Sequence, residues 1–124
     1  LRKEAEEADQ WNMLNPRKKQ KTAHLIKSFS DHNVPTIATA DYIKMVSEQI
    51  GPYVPGPYYT LGTDGFGRSD TRENLRRFFE IDRHYIVLTA IRALTTDGKI
   101  EKDAILKAIK KYNIDPDKPS PVKV

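Results

Sequence analysis

The apolar positions of this chain recur with two different periods, which predicts a mixture of helices and short strands. At the N terminus, Leu1, Ala5, Ala8 and Trp11 lie at helical spacing, with acidic residues on the other faces. The same spacing predicts five more helices, which begin near Thr22, Asp41, Asp70, Asp82 and Glu101. Asp70, with Glu73 three residues on, has the form of a capping box, and Asp41 and Asp82 are predicted caps.

Two segments have strand composition, Val34–Ala40 and Tyr58–Leu61. Two strands do not make an independent sheet of ordinary size. In addition, the first helical pattern starts at Leu1 with no capping residue before it. We therefore expect that upstream sequence, including strands, is missing, or that another chain completes the sheet.

A glycine-rich turn joins the second strand to the helix at Asp70. Gly62, Gly65 and Gly67 allow positive φ or close backbone approach. In α/β proteins such turns bind phosphates or dock another segment. The run from Gly65 begins like G-x-G-x-x-G, but Asp70 stands at the third glycine position and would repel a pyrophosphate.

We therefore interpret the turn as structural, with Phe66 inserted into a hydrophobic seat. Arg68 could bridge to a carboxylate across a domain or subunit boundary, or it could be solvated while Asp70 merely caps a helix. Both readings stay open. The candidate domain or subunit contacts are Asp64, Gly65, Phe66, Gly67, Arg68 and Asp70.

The apolar pattern also predicts which side chains are buried. The helix after Asp41 is expected to bury Tyr42, Met45, Val46 and Ile50. The residues expected in the core or at a buried boundary are Leu1, Trp11, Ile37, Phe66, Phe78, Phe79, Ile91 and Ile105.

Length and composition indicate one partial domain, residues 1–124, ending in an extended proline-rich tail, 115–124. The absence of cysteine excludes disulfides and thiolate metal sites and agrees with a reducing compartment. With no membrane-spanning run and no signal-peptide pattern, we expect a cytoplasmic protein without a membrane partner.

The formal net charge is +4, and much of the local excess lies in Arg17–Lys21. Such a run can bind nucleic acid or an acidic partner, but no aromatic residue is interleaved with it for base stacking. We favour a solvated loop, and a small basic binding module remains the alternative function.

The segment Leu61–Arg76 closely resembles the C-terminal domain of homodimeric pyruvate dehydrogenase, the thiamine-diphosphate-dependent decarboxylating component of bacterial pyruvate dehydrogenase complexes. Trp11–Pro16, Asp41–Pro55 and Lys111–Asp115 are similar to that family in the same order, so the resemblance covers about residues 1 to 118. Asn15, where the family commonly has His, is a departure.

The resemblance implies a C-terminal transketolase-like domain of the α/β class, with a small mixed sheet flanked by helices and without its first strands. It implies a parent enzyme that oxidatively decarboxylates pyruvate, uses thiamine diphosphate and magnesium, and acetylates lipoyl groups of a dihydrolipoyl acetyltransferase core. This domain would support dimer assembly and shape the active-site surroundings. A domain of another transketolase-superfamily enzyme is the alternative.

No catalytic, cofactor-binding or metal-binding residue is carried over, since the family's lie in its first two domains. Asp64 and Asp97 lack the preceding glycine of the family's Gly-Asp-Gly motif and are read as turn residues. The spacing of His24, His32 and His84 does not suggest a metal triad.

Overall fold

The computed structural model describes residues 1–30 and 34–124, so His32 lies outside the described residues. The helices are α1 (Arg2–Leu14), α2 (His24–Phe29), α3 (Lys44–Glu48), α4 (Arg72–Phe78), α5 (Arg83–Thr96) and α6 (Asp103–Lys111). The strands are β1 (Thr36–Thr39) and β2 (Tyr58–Leu61), and single 3₁₀ turns cover Gly51–Tyr53 and Pro121–Lys123. None of the helices in the described ranges is long and apolar enough to span a membrane.

The two strands form a parallel pair, with Thr36 opposite Tyr58 and Thr39 opposite Leu61. A parallel pair needs a crossover connection, which α3 and the Gly51–Tyr53 turn provide. Helix α3 contacts both strands and α5 contacts β1. The predicted α/β class is confirmed, and the parallel arrangement places the carboxyl ends of both strands at one edge.

Two predicted helix ends are confirmed by their hydrogen bonds. The Asp82 carboxylate accepts from the backbone N–H groups of His84 and Tyr85, each at 2.9 Å, and so caps α5. Asn113 takes a φ of 49° just after α6, the left-handed conformation that commonly ends a helix.

Two predicted helix starts are wrong. Helix α4 is capped by Thr71, whose Oγ1 accepts from the Asn74 N–H at 3.3 Å, one residue after the expected Asp70. Helix α3 begins at Lys44 rather than after Asp41. Its first N–H donates at 2.9 Å to Asp64, a carboxylate from the glycine turn that sequence spacing alone does not place there.

Half of the buried core residues are alanines. The buried core consists of Ala5, Ala23, Leu25, Val54, Ile81, Ala93, Ala108 and Ile114. Six predicted core residues lie half-buried at the core boundary: Trp11, Ile37, Phe78, Phe79, Ile91 and Ile105. The prediction is wrong for Leu1 and Phe66, whose exposed fractions are 64% and 69%.

The apolar side of α3 is also more exposed than its sequence predicts. Tyr42, Met45 and Val46 are exposed, and only Ile50 is half-buried. The helix has five residues and contacts both strands, but Met45 and Val46 remain 61% and 49% exposed. The apolar spacing therefore identifies a surface that the described residues leave open.

The accessible surface of the chain is 9150 Å². A compact monomer of 14.2 kDa exposes about 6,800 Å² by the usual size scaling. The excess, on the order of 2,000 Å², is comparable with the area that obligate protein contacts bury. Exposed side chains of α3 and the glycine turn contribute to this surface.

Arg77 joins the ends of three helices. Its guanidinium donates to the carbonyls of Tyr112 and Asn113 at 2.9 and 2.8 Å, which belong to the end of α6. It also pairs with Asp82 at 3.3 Å and contacts the Nδ1 of His84 at 3.0 Å, at the start of α5. One side chain of α4 therefore satisfies the last carbonyls of α6 and contacts the cap of α5.

The C-terminal tail, residues 115–124, packs against the end of α4. The Lys118 ammonium donates to the Phe78 carbonyl at 2.6 Å and to the Glu80 carboxylate at 3.0 Å. Farther along, Pro121 is buried in the single 3₁₀ turn of the tail. The tail thus forms one wall behind the glycine turn.

Candidate domain-contact site

The candidate site lies where the two parallel strands end. Gly62 and Thr63 follow β2 and run beside Tyr42 to Lys44, which follow β1; the Thr63 N–H donates to the Tyr42 carbonyl at 2.8 Å. A Cβ added to Gly62 would lie 2.5 Å from the Tyr42 oxygen and 2.6 Å from the Lys44 nitrogen. Only glycine permits this approach of the two backbones.

Gly65 is held against the C-terminal tail. Its φ is 140°, and a Cβ there would lie 2.6 Å from the Pro121 carbonyl oxygen. In contrast, a Cβ on Gly67 would meet nothing within 4 Å among the described residues, and its φ is not in the positive region. The turn therefore requires glycine at position 65, and the structure gives no such reason for position 67.

Gly65→Val is expected to lower the free energy of unfolding by about 1–3 kcal/mol, because it adds a side chain to a positive-φ residue pressed against Pro121. Gly67→Val is the matched control and should change stability by less than about 0.5 kcal/mol. Urea unfolding of both variants measures the difference. Equal stability of the two variants would show that the tail does not constrain the turn.

Phe66 and Arg68 project from the outer part of the turn. The hydrophobic seat predicted for Phe66 is absent from the described chain, where this ring is 69% exposed. The Arg68 guanidinium carbon lies 3.9 Å from the centroid of the Phe78 ring. The structure assigns Arg68 no hydrogen bond or ion pair with residues 1–30 and 34–124, so the edge of its guanidinium is available to another molecule.

Asp70 stabilises the start of α4 without being its cap. Its Oδ1 accepts from the Thr71 N–H at 2.7 Å and from the Asn74 side chain at 2.8 Å. The hydrogen bond from the Asn74 side chain, followed by the one from the Thr71 backbone, lowers the pKa of Asp70. The group is therefore a carboxylate at neutral pH, and both of these hydrogen bonds use its Oδ1.

Three arginines line a pocket of about 560 Å³ beside the turn: Arg68, Arg72 and Arg76. Among the described residues, only Arg76 of these three has an ion-pair partner, the Asp41 carboxylate at 3.0 Å. Apolar side chains, including Phe66, Leu75 and Phe79, form the rest of the lining. A second depression of about 840 Å³ continues past Arg76 toward the start of α5. The site is thus an open groove with apolar walls and unpaired cationic groups.

Within residues 1–30 and 34–124, the acidic side chains do not fit a thiamine diphosphate and magnesium site. Asp64 accepts from the Lys44 N–H, and Asp97 pairs with Lys99 at 2.9 Å. No group of three or more His, Asp or Glu side chains within the described ranges could hold a metal ion. His24 contacts Ser28 at 3.3 Å, and His84 is stacked on Tyr112 with ring centroids 4.6 Å apart.

The basic segment Arg17–Lys21 has a contact that sequence reasoning missed. The ammonium groups of Lys18 and Lys21 lie 5.9 and 4.6 Å from the centroid of the Trp11 ring. Both ammonium groups thus lie near an aromatic ring that precedes them in the chain by seven and ten positions. Since Lys21 lies on this ring, the arrangement favours a local structural role for the segment.

Together, the parallel strands, the tight crossover and the open groove at their carboxyl ends define an α/β domain with an uncovered contact surface. Comparison with known proteins agrees with this class. The profile of the transketolase-like TK C-terminal domain matches residues 8–82, well over half of the sequence. The chain belongs to this family.

Curated relatives share extensive identity with the chain. It is 48% identical over 124 residues to the pyruvate dehydrogenase E1 component of Cupriavidus necator, an alignment that covers 100% of this chain. The E1 components of Pseudomonas aeruginosa and Escherichia coli K12 are 46% and 43% identical over 98% of the chain. The chain spans 14% of the length of each of these relatives.

Proposed function

We propose that this chain is the C-terminal domain of a pyruvate dehydrogenase E1 component, in which it has a structural role in assembly. The observation that carries the proposal is the 48% identity to such an enzyme across the whole of this chain. Because the chain spans 14% of that relative, the activity would belong to the longer polypeptide. That polypeptide would decarboxylate pyruvate oxidatively and acetylate the lipoyl groups of a dihydrolipoyl acetyltransferase core.

The side chains of this domain indicate which part of the enzyme's function it would contribute. Thiamine diphosphate and magnesium would bind elsewhere in the polypeptide, because the carboxylates that the structure describes form no such site. The proposed contribution of this domain is a surface, built from the glycine turn, α3 and the arginine groove, that covers other parts of the enzyme and supports a homodimer. We also propose a cytoplasmic location.

The large exposed area supports the assembly role. Phe66, Tyr42 and Met45 are exposed by 69%, 69% and 61%, and all three lie on or near the crossover at the carboxyl ends of the strands. Covering apolar side chains contributes about 25 cal/mol for each Å² removed from water. A partner surface would therefore gain stability from contact here.

Calorimetric titration with thiamine diphosphate and magnesium tests the proposal. The full-length polypeptide should bind the cofactor and form carbon dioxide from pyruvate, while the isolated chain should show no saturable heat. Saturable micromolar binding by the isolated chain would contradict the assignment. A full-length polypeptide without pyruvate activity would contradict the parent enzyme proposed here.

A further inference from the structure

The side chain of Arg68 is exposed, and its guanidinium group lies over an aromatic ring. Its guanidinium carbon is 3.9 Å from the Phe78 centroid, so the ring supports the flat face of the group. Stacking uses the face and leaves the N–H edge free, and that edge binds carboxylates with two parallel hydrogen bonds. Arg68 therefore has the features of a preorganised binding site for a carboxylate.

The platform beneath Arg68 is itself fixed. Lys118 of the tail donates to the Phe78 carbonyl at 2.6 Å, and its ammonium lies 5.3 Å from the centroid of the same ring. Phe79, the next residue, packs edge-on against Phe78 with centroids 5.0 Å apart. A fixed ring reduces the conformational entropy that Arg68 would lose on binding a partner.

The charges around Arg68 leave room for one more carboxylate. Of the pocket acids, Asp41 pairs with Arg76. Asp70 accepts hydrogen bonds from Asn74 and Thr71, and these, with a smaller electrostatic contribution from Arg68, lower its pKa, although no ion pair joins Arg68 and Asp70. Arg68 and Arg72 have no ion pair with the described residues, and exposed Phe66 lines the same pocket. An acidic side chain could pair with one of these arginines, and an apolar side chain beside it could cover the exposed ring of Phe66.

We propose that Arg68 anchors an acidic side chain, flanked by an apolar residue, from another part of the same longer polypeptide. The inference rests on the proposed function, because it requires that polypeptide. We assign the acidic side chain to the same polypeptide because the relatives have 86% of their length outside the region matched here, so each copy would bring enough chain to cover its own groove. Phe78 and Lys118 act as positioning residues for Arg68.

Zero-length crosslinking in the full-length polypeptide tests this directly. Arg68→Lys introduces an amine at the site, and a water-soluble carbodiimide joins an amine to a carboxylate only when the two are in contact. Arg92→Lys is the matched control, since Arg92 is an exposed arginine on the outer part of α5. We expect Arg68→Lys to give one dominant new amide, to an Asp or Glu outside these 124 residues, at least tenfold above the control.

Dissociating and reassembling a mixture of unlabelled and ¹⁵N-labelled enzyme before the reaction shows which copy supplies the carboxylate. A crosslink within one isotopic copy supports the proposal, and one between copies overturns it in favour of a dimer contact. A crosslink only to Asp64 or Asp70, or none above the control, also overturns it. These failures are distinct from failure of the proposed function, because pyruvate activity of the unmodified enzyme is measured separately.

A second readout separates anchoring from simple folding. Hydrogen exchange at residues 64–72 should be slower in the full-length polypeptide than in the isolated chain, and Arg68→Leu should abolish at least half of that difference. Arg92→Leu should leave it unchanged. If Arg68→Leu also leaves it unchanged, the anchor does not exist.

Discussion

Gly62→Ala is expected to lower the free energy of unfolding by about 3 kcal/mol, because the added methyl group would overlap two backbone segments. The new Cβ would lie 2.5 Å from the Tyr42 carbonyl oxygen and 2.6 Å from the Lys44 nitrogen. Both are backbone atoms, so neither can move aside by changing a rotamer. The strand ends would have to separate, which would weaken the hydrogen bond from Thr63 to Tyr42.

Gly67→Ala provides the control, because it adds the same methyl group five residues away in open space. Its free energy of unfolding should stay within about 0.5 kcal/mol of the parent chain. Chemical denaturation of the three proteins gives the comparison. Equal stability of the two alanine variants would mean that the crossover at the strand ends is looser than the structure shows.

Arg77→Met is expected to lower the free energy of unfolding by about 2 kcal/mol. The substitution keeps a long side chain but removes the donors to the Tyr112 and Asn113 carbonyls and the partner of Asp82. The guanidinium is about one-third exposed, so water can replace part of what is lost. The main loss is the link between the end of α6 and the other two helices.

Arg76→Met is the matched control, because it removes one positive charge from α4 without removing the link between the helices. Arg76 is the preceding residue of α4, and its only ion pair, with Asp41, is at the surface. Exposed pairs of this kind contribute about 0–1 kcal/mol, so the control should be destabilised by less than half as much as Arg77→Met. Urea unfolding of both variants measures this, and a larger effect at Arg76 would refute the role assigned to Arg77.

Local signals in the sequence predict the local structure well. The run Tyr58–Leu61 is a strand with the expected bounds, and the expected strand Val34–Ala40 is realised as Thr36–Thr39. Asp82 caps α5 because the backbone N–H groups that its side chain accepts from, those of His84 and Tyr85, lie two and three residues later in the chain. Such features depend on residues that are adjacent in the chain.

Features that depend on distant residues could not be predicted in this way. Asp64, which follows β2, accepts the hydrogen bond from the first N–H of α3. The Trp11 ring of α1 contacts the ammonium group of Lys21, which lies beyond the end of that helix. The exposure of Phe66 and Met45 was missed because apolar spacing identifies a face but not what covers it. The candidate site residues were found through the glycine turn, whereas Arg72 and Arg76 became part of the site only when the fold brought them to the same groove.

The contact between Gly65 and Pro121 has a consequence for the order of events during synthesis. The strands and α4 precede the tail along the chain, so a ribosome would release them before Pro121 could pack behind the turn. Until then, the Gly65 backbone would lack the neighbour that fixes it, and Phe78 would lack Lys118. The groove would therefore reach its final shape only after the tail had packed. Another segment could bind in it only once this domain had folded.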